Sequence, residues 1–261
     1  EQHLDNLLQL STKYRDSFNN KNRIIIWPET SFEGSIPIET KLLSDISKTI
    51  LKNKNTTLIL GLLRTDEKKV FNSLVFLNFE GDIVYTYDKI KLVPFGEYIP
   101  FRQYLGSLTD MLAPKDFTSG ELKSNPTIYG FENIITLICY EILFTNEIAR
   151  RISKNTNLLI NITNDAWFGK TIGPYQHLAL AKIKAVEFGL PLARVANTGI
   201  SAFISPYGEI IGKIPLDNKG VKTFDLIPSL NSTLYKIYGE YIFIVLILIL
   251  LVINSLYNSN Y

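Results

Sequence analysis

The chain holds one cysteine, two histidines and a net charge of only +2 in 261 residues. Each scarcity excludes something. A single cysteine cannot close an internal disulfide, so cysteine usage does not identify the compartment. Two histidines and one cysteine argue against a zinc site. A nearly balanced charge gives no electrostatic case for nucleic acid. Neither a metal nor a cofactor is expected. No internal repeat or low-complexity segment is present. No methionine and no signal peptide stand at the start, which predicts a fragment or a processed form. What the chain does have is apolar surface: 46% of its residues are hydrophobic, enough for one domain with a sizeable core plus an appendage.

The stretch that organises the rest is Ile134-Ile-Thr-Leu-Ile-Cys-Tyr-Glu-Ile-Leu-Phe144, which carries the only cysteine. Its β-branched first half predicts a buried strand, and burial on both faces predicts a parallel sheet. Cys139 and Glu141 come at its end, where open α/β sheets place ligands and chemistry. A lone buried thiol is most often plain core. Glu141 argues otherwise, because a carboxylate two residues away on the same strand face needs a partner.

Residues 1–20 read as an amphipathic helix with Leu4, Leu7, Leu8 and Leu10 near one face. A strand at 23–28 is stopped by Pro28 and followed at once by Glu29. A helix is predicted over 40–52, then a strand over 57–63. Strands over 71–79 and 83–90 flank a Glu80-Gly81-Asp82 turn, with Lys89 at the end of the second arm. Residues 91–112 form a long loop containing Phe95, Tyr98, Phe101, Tyr104, Leu105, Leu108, Met111 and Leu112, with Gly96 and Gly106 as candidate hinges. Next come a helix over 146–154 capped by Asn146, a strand over 157–163 ending in Asn164 and Asp165, and a helix over 175–188 stopped by Gly189. Strands follow over 192–196, 201–205 and 209–214, with an edge strand over 221–226. Interleaved strands, helices and hairpins predict an α/β layered fold. Residues 241–253 are thirteen unbroken apolar residues. Extended to Tyr235 and Leu256, they approach the roughly 20 needed to cross a bilayer.

Glu29, Lys89 and Cys139 thus each stand at the carboxyl end of a predicted strand. A free thiol is mostly protonated at neutral pH, so a nucleophilic cysteine needs a base or a nearby cation. Glu29 can accept its proton. Lys89 can favour the thiolate and then the oxyanion formed on attack at a carbonyl. Taken alone, each of the three fits a solvated or ion-paired role equally well.

The words around them carry more. Trp27-Pro-Glu-Thr30, Tyr87-Asp-Lys89, Pro94-Phe-Gly-Glu-Tyr-Ile-Pro100, Ile138-Cys-Tyr-Glu141, Asn164-Asp-Ala-Trp-Phe-Gly169 and Arg194-Val-Ala-Asn-Thr-Gly-Ile-Ser201 occur in this order. Together they resemble the carbon–nitrogen hydrolase (nitrilase) superfamily, and within it the apolipoprotein N-acyltransferase branch. The resemblance implies a four-layer αββα sandwich over residues 1–234, N-terminally incomplete, and a C-terminal transmembrane segment over 235–261. It implies Glu29 as general base, Lys89 as stabiliser of thiolate and oxyanion, and Cys139 as nucleophile. Glu97 and Glu141 match supporting acidic positions, with Lys89 as the partner or near neighbour of Glu141. Tyr140, Asn164, Trp167 and Phe168 match positions that line the substrate pocket. The implied reaction moves a fatty acyl group from a phospholipid donor, through a cysteine thioester, to the α-amine of the diacylglyceryl-cysteine of an apolipoprotein acceptor. The implied place is the bacterial inner membrane, with the catalytic domain on the extracytoplasmic side. The family's upstream membrane helices and first sandwich strand are missing from this sequence, so a separate N-terminal membrane part is a further expected partner. Two competing readings are an amidase of the same superfamily acting on a small amide, and an inactive membrane-tethered remnant.

Overall fold

The computed structural model describes residues 2–13, 22–32, 34–38, 40–105 and 116–258. Among the described residues, ten strands form two five-stranded sheets. The first contains β1 (Arg23–Ile26), β2 (Ser35–Pro37), β3 (Thr56–Asp66), β4 (Lys69–Leu77) and β5 (Ile83–Asp88). Its order is β1-β3-β4-β5, with β2 also on β3; β1 and β2 run parallel to β3, while β3, β4 and β5 alternate in direction. The second contains β6 (Ile135–Ile138), β7 (Leu159–Thr163), β8 (Leu192–Ala196), β9 (Ser201–Ile204) and β10 (Ile210–Ile214). Here β6, β7 and β8 are parallel, and β9 and β10 return antiparallel.

Alternation along the strands sorts the apolar side chains into layers. In β3, Leu58, Leu60 and Leu62 pack with Leu43, Ile46 and Ile50 of helix α2 (Lys41–Ile50), joined by Leu4, Leu7 and Leu8 of α1 (Gln2–Lys13). Their neighbour Ile59 faces the other way, with Leu74, Phe76, Ile138, Ile160 and Ile162, and fills the space between the sheets. On the far side, Ile135, Leu137, Leu159 and Leu192 meet α5 (Gly173–Phe188) through Leu178, Ala181, Ala185 and Phe188. The result is helices, sheet, sheet, helices: the αββα sandwich. Between these lie a single helical turn, α3 (Arg102–Leu105), and α4 (Thr145–Arg151), whose Ile148 joins the far-side core.

Caps follow local chemistry. The Thr40 side chain accepts from the Leu42 N–H at the start of α2. Gly189 ends α5 in the left-handed conformation, with φ 63°. Several sequence expectations need correction. The strand expected through Cys139 stops at Ile138, and Cys139–Leu143 forms a 3₁₀ turn instead. Cys139 and Glu141 therefore share no strand face. Helix α4 begins at Thr145 with Phe144 at the cap position, so Asn146 is not its N-cap. Residues 221–226 form no strand; Phe224 and Leu226 cover the inter-sheet core, with Phe224 stacked on Phe203 at 5.2 Å.

After the sandwich, α6 (Leu234–Tyr238) is followed by Gly239 at φ 54°, and α7 (Tyr241–Asn258) begins beyond it. Tyr235 packs edge-on against Phe188 at 6.0 Å, so the residues just before Gly239 belong to the sandwich surface. Helix α7 is 18 residues long, apolar from Tyr241 to Ile253 and without a buried residue, and is long and apolar enough to cross a membrane. Leu108, Met111, Leu112, Gly106 and the 14–20 part of the expected first helix lie outside the described residues.

Candidate active site

Glu29 follows β1 in a segment pressed against β3. The Trp27 N–H donates to the Ile59 carbonyl at 2.8 Å, and the Gly61 N–H to that of Pro28 at 3.2 Å. A Cβ on Gly61 would lie 2.7 Å from the Glu29 Cα, so only glycine permits this approach. The Glu29 side chain is 5% exposed. Its carboxylate accepts from the Asn72 amide at 2.7 Å and from the Asn164 backbone N–H, on the opposite sheet, at 2.6 Å. Asn197 adds amide contacts to the Glu29 and Thr30 carbonyls at 3.4 and 3.3 Å.

Lys89 directly follows β5. Its N–H donates to the Asn72 carbonyl at 2.8 Å, and Asp88 beside it is fixed by Arg64 through two 2.8 Å contacts and by the Ser73 hydroxyl at 2.7 Å. The Lys89 side chain is 1% exposed and donates to Glu97 at 2.7 Å. The same Glu97 oxygen accepts from Asn72 at 3.0 Å, and the other from the Val93 N–H at 2.8 Å. Asn72 therefore gives one amide nitrogen to both carboxylates.

Glu141 is satisfied in a way the sequence did not suggest. It accepts from the Tyr87 hydroxyl at 2.9 and 3.0 Å, and from the N–H groups of Ile90 at 2.7, Lys91 at 3.1 and Ile138 at 2.9 Å. Its hydrogen-bond partners are these groups, and Lys89 is paired with Glu97; Lys89 acts on Glu141 only as a nearby charge. These donors favour the ionised carboxylate, but full burial outweighs them and holds its proton affinity above the ordinary glutamate range. Its function is to tie the start of the 91–112 loop to the 3₁₀ turn that bears Cys139.

Cys139 has φ 52°, a left-handed conformation that costs an L-residue roughly 1–2 kcal/mol. The geometry explains the need. Residues 135 and 137 of β6 face the helix side, so a continued strand would send residue 139 there too. Cys139 instead packs in the inter-sheet core beside Ile138. The left-handed step turns it toward the sheet that bears Glu29 and Lys89.

The electrostatics follow from burial. Desolvation pushes the Cys139 thiol up to about 12, helped by the Glu29 charge and opposed by Lys89 and the Thr163 hydroxyl. Desolvation also raises Glu29, against Lys89, Asn72 and the Asn164 N–H. Burial pulls the Lys89 ammonium down, but the Glu29 and Glu97 carboxylates outweigh it and hold it above the ordinary lysine range. The resting thiol is thus protonated, beside a buried carboxylate with raised proton affinity and a fixed cation.

Tyr140, Phe168 and His177 form an aromatic cluster beside the thiol, with ring centroids 5.3 to 6.2 Å apart. Trp167, 80% exposed, stands free of it. Asn164 caps the following 3₁₀ turn through its side chain and reaches Glu29 through its backbone. In the 91–112 loop, Phe95, Phe101 and Tyr104 are 75 to 79% exposed, while Ile99 is buried and Arg102 grips Asp116 at 2.8 and 2.9 Å. Asn72 and Asn161 escaped the sequence reading, and Tyr87 entered it only as part of a motif. The available signal was a polar residue inside an apolar strand, as in Leu-Leu-Ile-Asn161-Ile-Thr.

Fold and site define an αββα protein with a buried thiol set among a glutamate, a lysine and a second glutamate. The chain belongs to the carbon-nitrogen hydrolase family, which it matches over residues 2–232. Among curated relatives it is similar to apolipoprotein N-acyltransferases of Rhizobium etli, with 39% identity over 82% of this chain and 41% of the relative, and of Bradyrhizobium diazoefficiens, with 34% over 88% and 43%. The chain thus spans about two fifths of the length of these relatives. Its fold is similar to an amidase from Nesterenkonia sp. (TM-score 0.59, 18% identity, 83% of this chain and 81% of that one). It is also similar to a carbon-nitrogen hydrolase from Helicobacter pylori G27 (TM-score 0.57, 17% identity, 82% and 79%).

Proposed function

We propose that this chain is the catalytic part of a lipoprotein N-acyltransferase. The observation that carries the reading is the meeting of Glu29, Lys89 and Cys139 in one buried site, in a chain up to 39% identical to apolipoprotein N-acyltransferases. With the thiol pushed up to about 12, free thiolate is scarce at neutral pH, so Glu29 takes the proton as the sulfur attacks. The attack falls on an ester carbonyl of a phospholipid. Lys89 faces the developing oxyanion, the C–O bond breaks, and the proton on Glu29 passes to the departing lysophospholipid oxygen. The α-amine of a diacylglyceryl-cysteine then attacks the thioester. Glu29 collects a proton from the amine and passes it to the Cys139 sulfur as the C–S bond breaks, which leaves the acyl group in an amide and returns the thiol and the carboxylate to their starting forms. Glu97 orients Lys89, and Glu141 holds the 3₁₀ turn. Tyr140, Phe168, Asn164 and Trp167 line the approach.

The acyl donor sits in a bilayer, and the chain has two features suited to one: the long apolar run of α7 and the exposed aromatics Phe95, Phe101 and Tyr104. We read 1–234 as the catalytic domain and 235–261 as the membrane segment, with the domain on the extracytoplasmic face of the bacterial inner membrane. The test is the intact mass of the chain in detergent micelles with phospholipid. One added acyl mass is expected, lost in Cys139→Ala and released by a diacylglyceryl-cysteine peptide. Ammonia release from small amides without any acyl adduct would favour the amidase reading instead.

A further inference from the structure

Beneath the nucleophile, on the helix side of the second sheet, lies a row of buried polar groups that the reaction above does not use. Leu137 of β6, Asn161 of β7 and Arg194 of β8 are in register across three parallel strands. The Asn161 amide nitrogen donates to the carbonyls of Cys139 at 3.2 Å and Leu137 at 3.4 Å. Its oxygen accepts from Arg194 at 2.5 Å. Arg194 in turn donates to Asp165 at 2.8 Å, and Asp165 is held by Thr163 at 3.0 Å and His177 at 2.9 Å. Asn161 is fully buried and Arg194 is 1% exposed. Arginine has no acceptor, so the Asn161 oxygen must face it, and the amide nitrogen is left aimed at the two carbonyls. Those carbonyls flank the point at which the chain leaves strand parity and enters the left-handed step at Cys139.

We infer that Asn161 is a positioning residue for the nucleophile: with its amide locked by Arg194, it clamps the Cys139 carbonyl on the helix side and so keeps the Cys139 sulfur on the inter-sheet side, facing Glu29 and Lys89. A left-handed backbone at a non-glycine residue persists only where its surroundings over-determine it. Here the surroundings on the helix side include one amide bridging two carbonyls and one guanidinium fixing that amide, beside His177 on the Cys139 backbone and the Glu141 carboxylate on the Ile138 N–H. Without the clamp, residue 139 relaxes toward a strand-like or helical conformation and the thiol moves away from the lysine.

The inference rests on reading Cys139 as the nucleophile, and its test is independent of acyl transfer. The full chain in detergent is alkylated with iodoacetamide from pH 6 to 10, and modification of the single cysteine is followed by intact mass. Asn161→Asp keeps the volume and an acceptor for Arg194 but has no donor for the carbonyls; Asn161→Ser is smaller and neutral. Both are expected to slow alkylation about tenfold at each pH below the thiol's titration, equivalent to a shift of about one pKa unit, while retaining a cooperative melt. A parent-like rate and pH profile in either folded variant overturns the clamp. Should neither variant fold, the parent decides it. Hydrogen exchange at the nitrogen-15-labelled Asn161 carboxamide is expected to be slow and to speed up once Cys139 is alkylated; exchange unchanged by alkylation overturns the inference. A missing acyl adduct with clamp-dependent alkylation would instead sink the acyltransfer reading and leave the clamp standing.

Discussion

Two buried charge networks flank Cys139, and they are balanced differently. On the first sheet, two carboxylates, Glu29 and Glu97, share one amide, and one lysine hydrogen-bonds Glu97 while its charge also acts on Glu29. Beneath the second, one carboxylate, Asp165, is met by a guanidinium, an imidazole and a hydroxyl. Burial pushes both Glu29 and Asp165 upward. At Glu29 it wins, and the proton affinity is raised. At Asp165, the His177 and Arg194 donors with Thr163 outweigh it and hold the acid below its ordinary value. The same desolvation thus yields a group ready to take a proton in one place and a locked anion in the other. What differs is the charge around each carboxylate, a second carboxylate, Glu97, near Glu29 and a guanidinium in direct contact with Asp165, and on the proposed reading this separates a network used for chemistry from one that holds position.

The contrast breaks or holds first in a pair of variants. Glu29→Gln keeps the volume and removes a buried charge. Acyl transfer should fall by roughly 10²- to 10⁴-fold with the melting temperature kept or raised. Arg194→Met leaves Asp165 buried without its cation and should cost roughly 3–5 kcal/mol of stability, read from denaturant midpoints. If Glu29→Gln proves the less stable of the two, the division of labour is wrong. Glu141→Gln comes next. It places an amide donor among groups that all donate, so a loss of roughly 1–3 kcal/mol is expected. Slower Cys139 alkylation should accompany it, since the 3₁₀ turn loses its anchor.

Opposite pH slopes sharpen the comparison further. Glu29 has a folded-state pKa raised above 4.5, so its contribution to stability is full below pH 4.5 and is lost as pH rises through the raised value. Burial lowers His177 below 6.5 despite Asp165, so its contribution is full above pH 6.5 and is lost as pH falls through the depressed value. Melting curves against pH should lose the first slope in Glu29→Gln and the second in His177→Gln; unchanged slopes would mean that other groups set them. The smallest effect on the fold is expected at Phe101, which is 75% exposed: Phe101→Asp should stay within about 0.5 kcal/mol of the parent. It should raise the apparent KM for phospholipid in micelles while leaving iodoacetamide alkylation of Cys139 unchanged. A melt many degrees lower would make this loop part of the core and not a lipid entrance.

Much of this was legible in the chain itself. The periodicity of Leu43, Ile46 and Ile50 places α2, the alternation around Glu80-Gly81-Asp82 places the β4–β5 hairpin, and the spacing of Leu178, Ala181, Ala185 and Phe188 places α5. The apolar run at 241–253 marks α7. These signals are local, because hydrophobic spacing and capping operate within a few residues. Glu29, Lys89 and Cys139 were legible as strand-end residues, and the words around them pointed to the family. Tertiary structure alone decided that Cys139 leaves its strand in a left-handed step, that Glu141 is held by Tyr87 and backbone N–H groups while Lys89 turns to Glu97, and that Asn161 carries Arg194 to the Cys139 carbonyl. Most of these depend on partners far apart in sequence: Tyr87 meets Glu141 across 54 positions, and Arg194 meets Asn161 across 33. A buried polar group must find its donors wherever the packed layers bring them, and only the packing of two sheets face to face determines which those are.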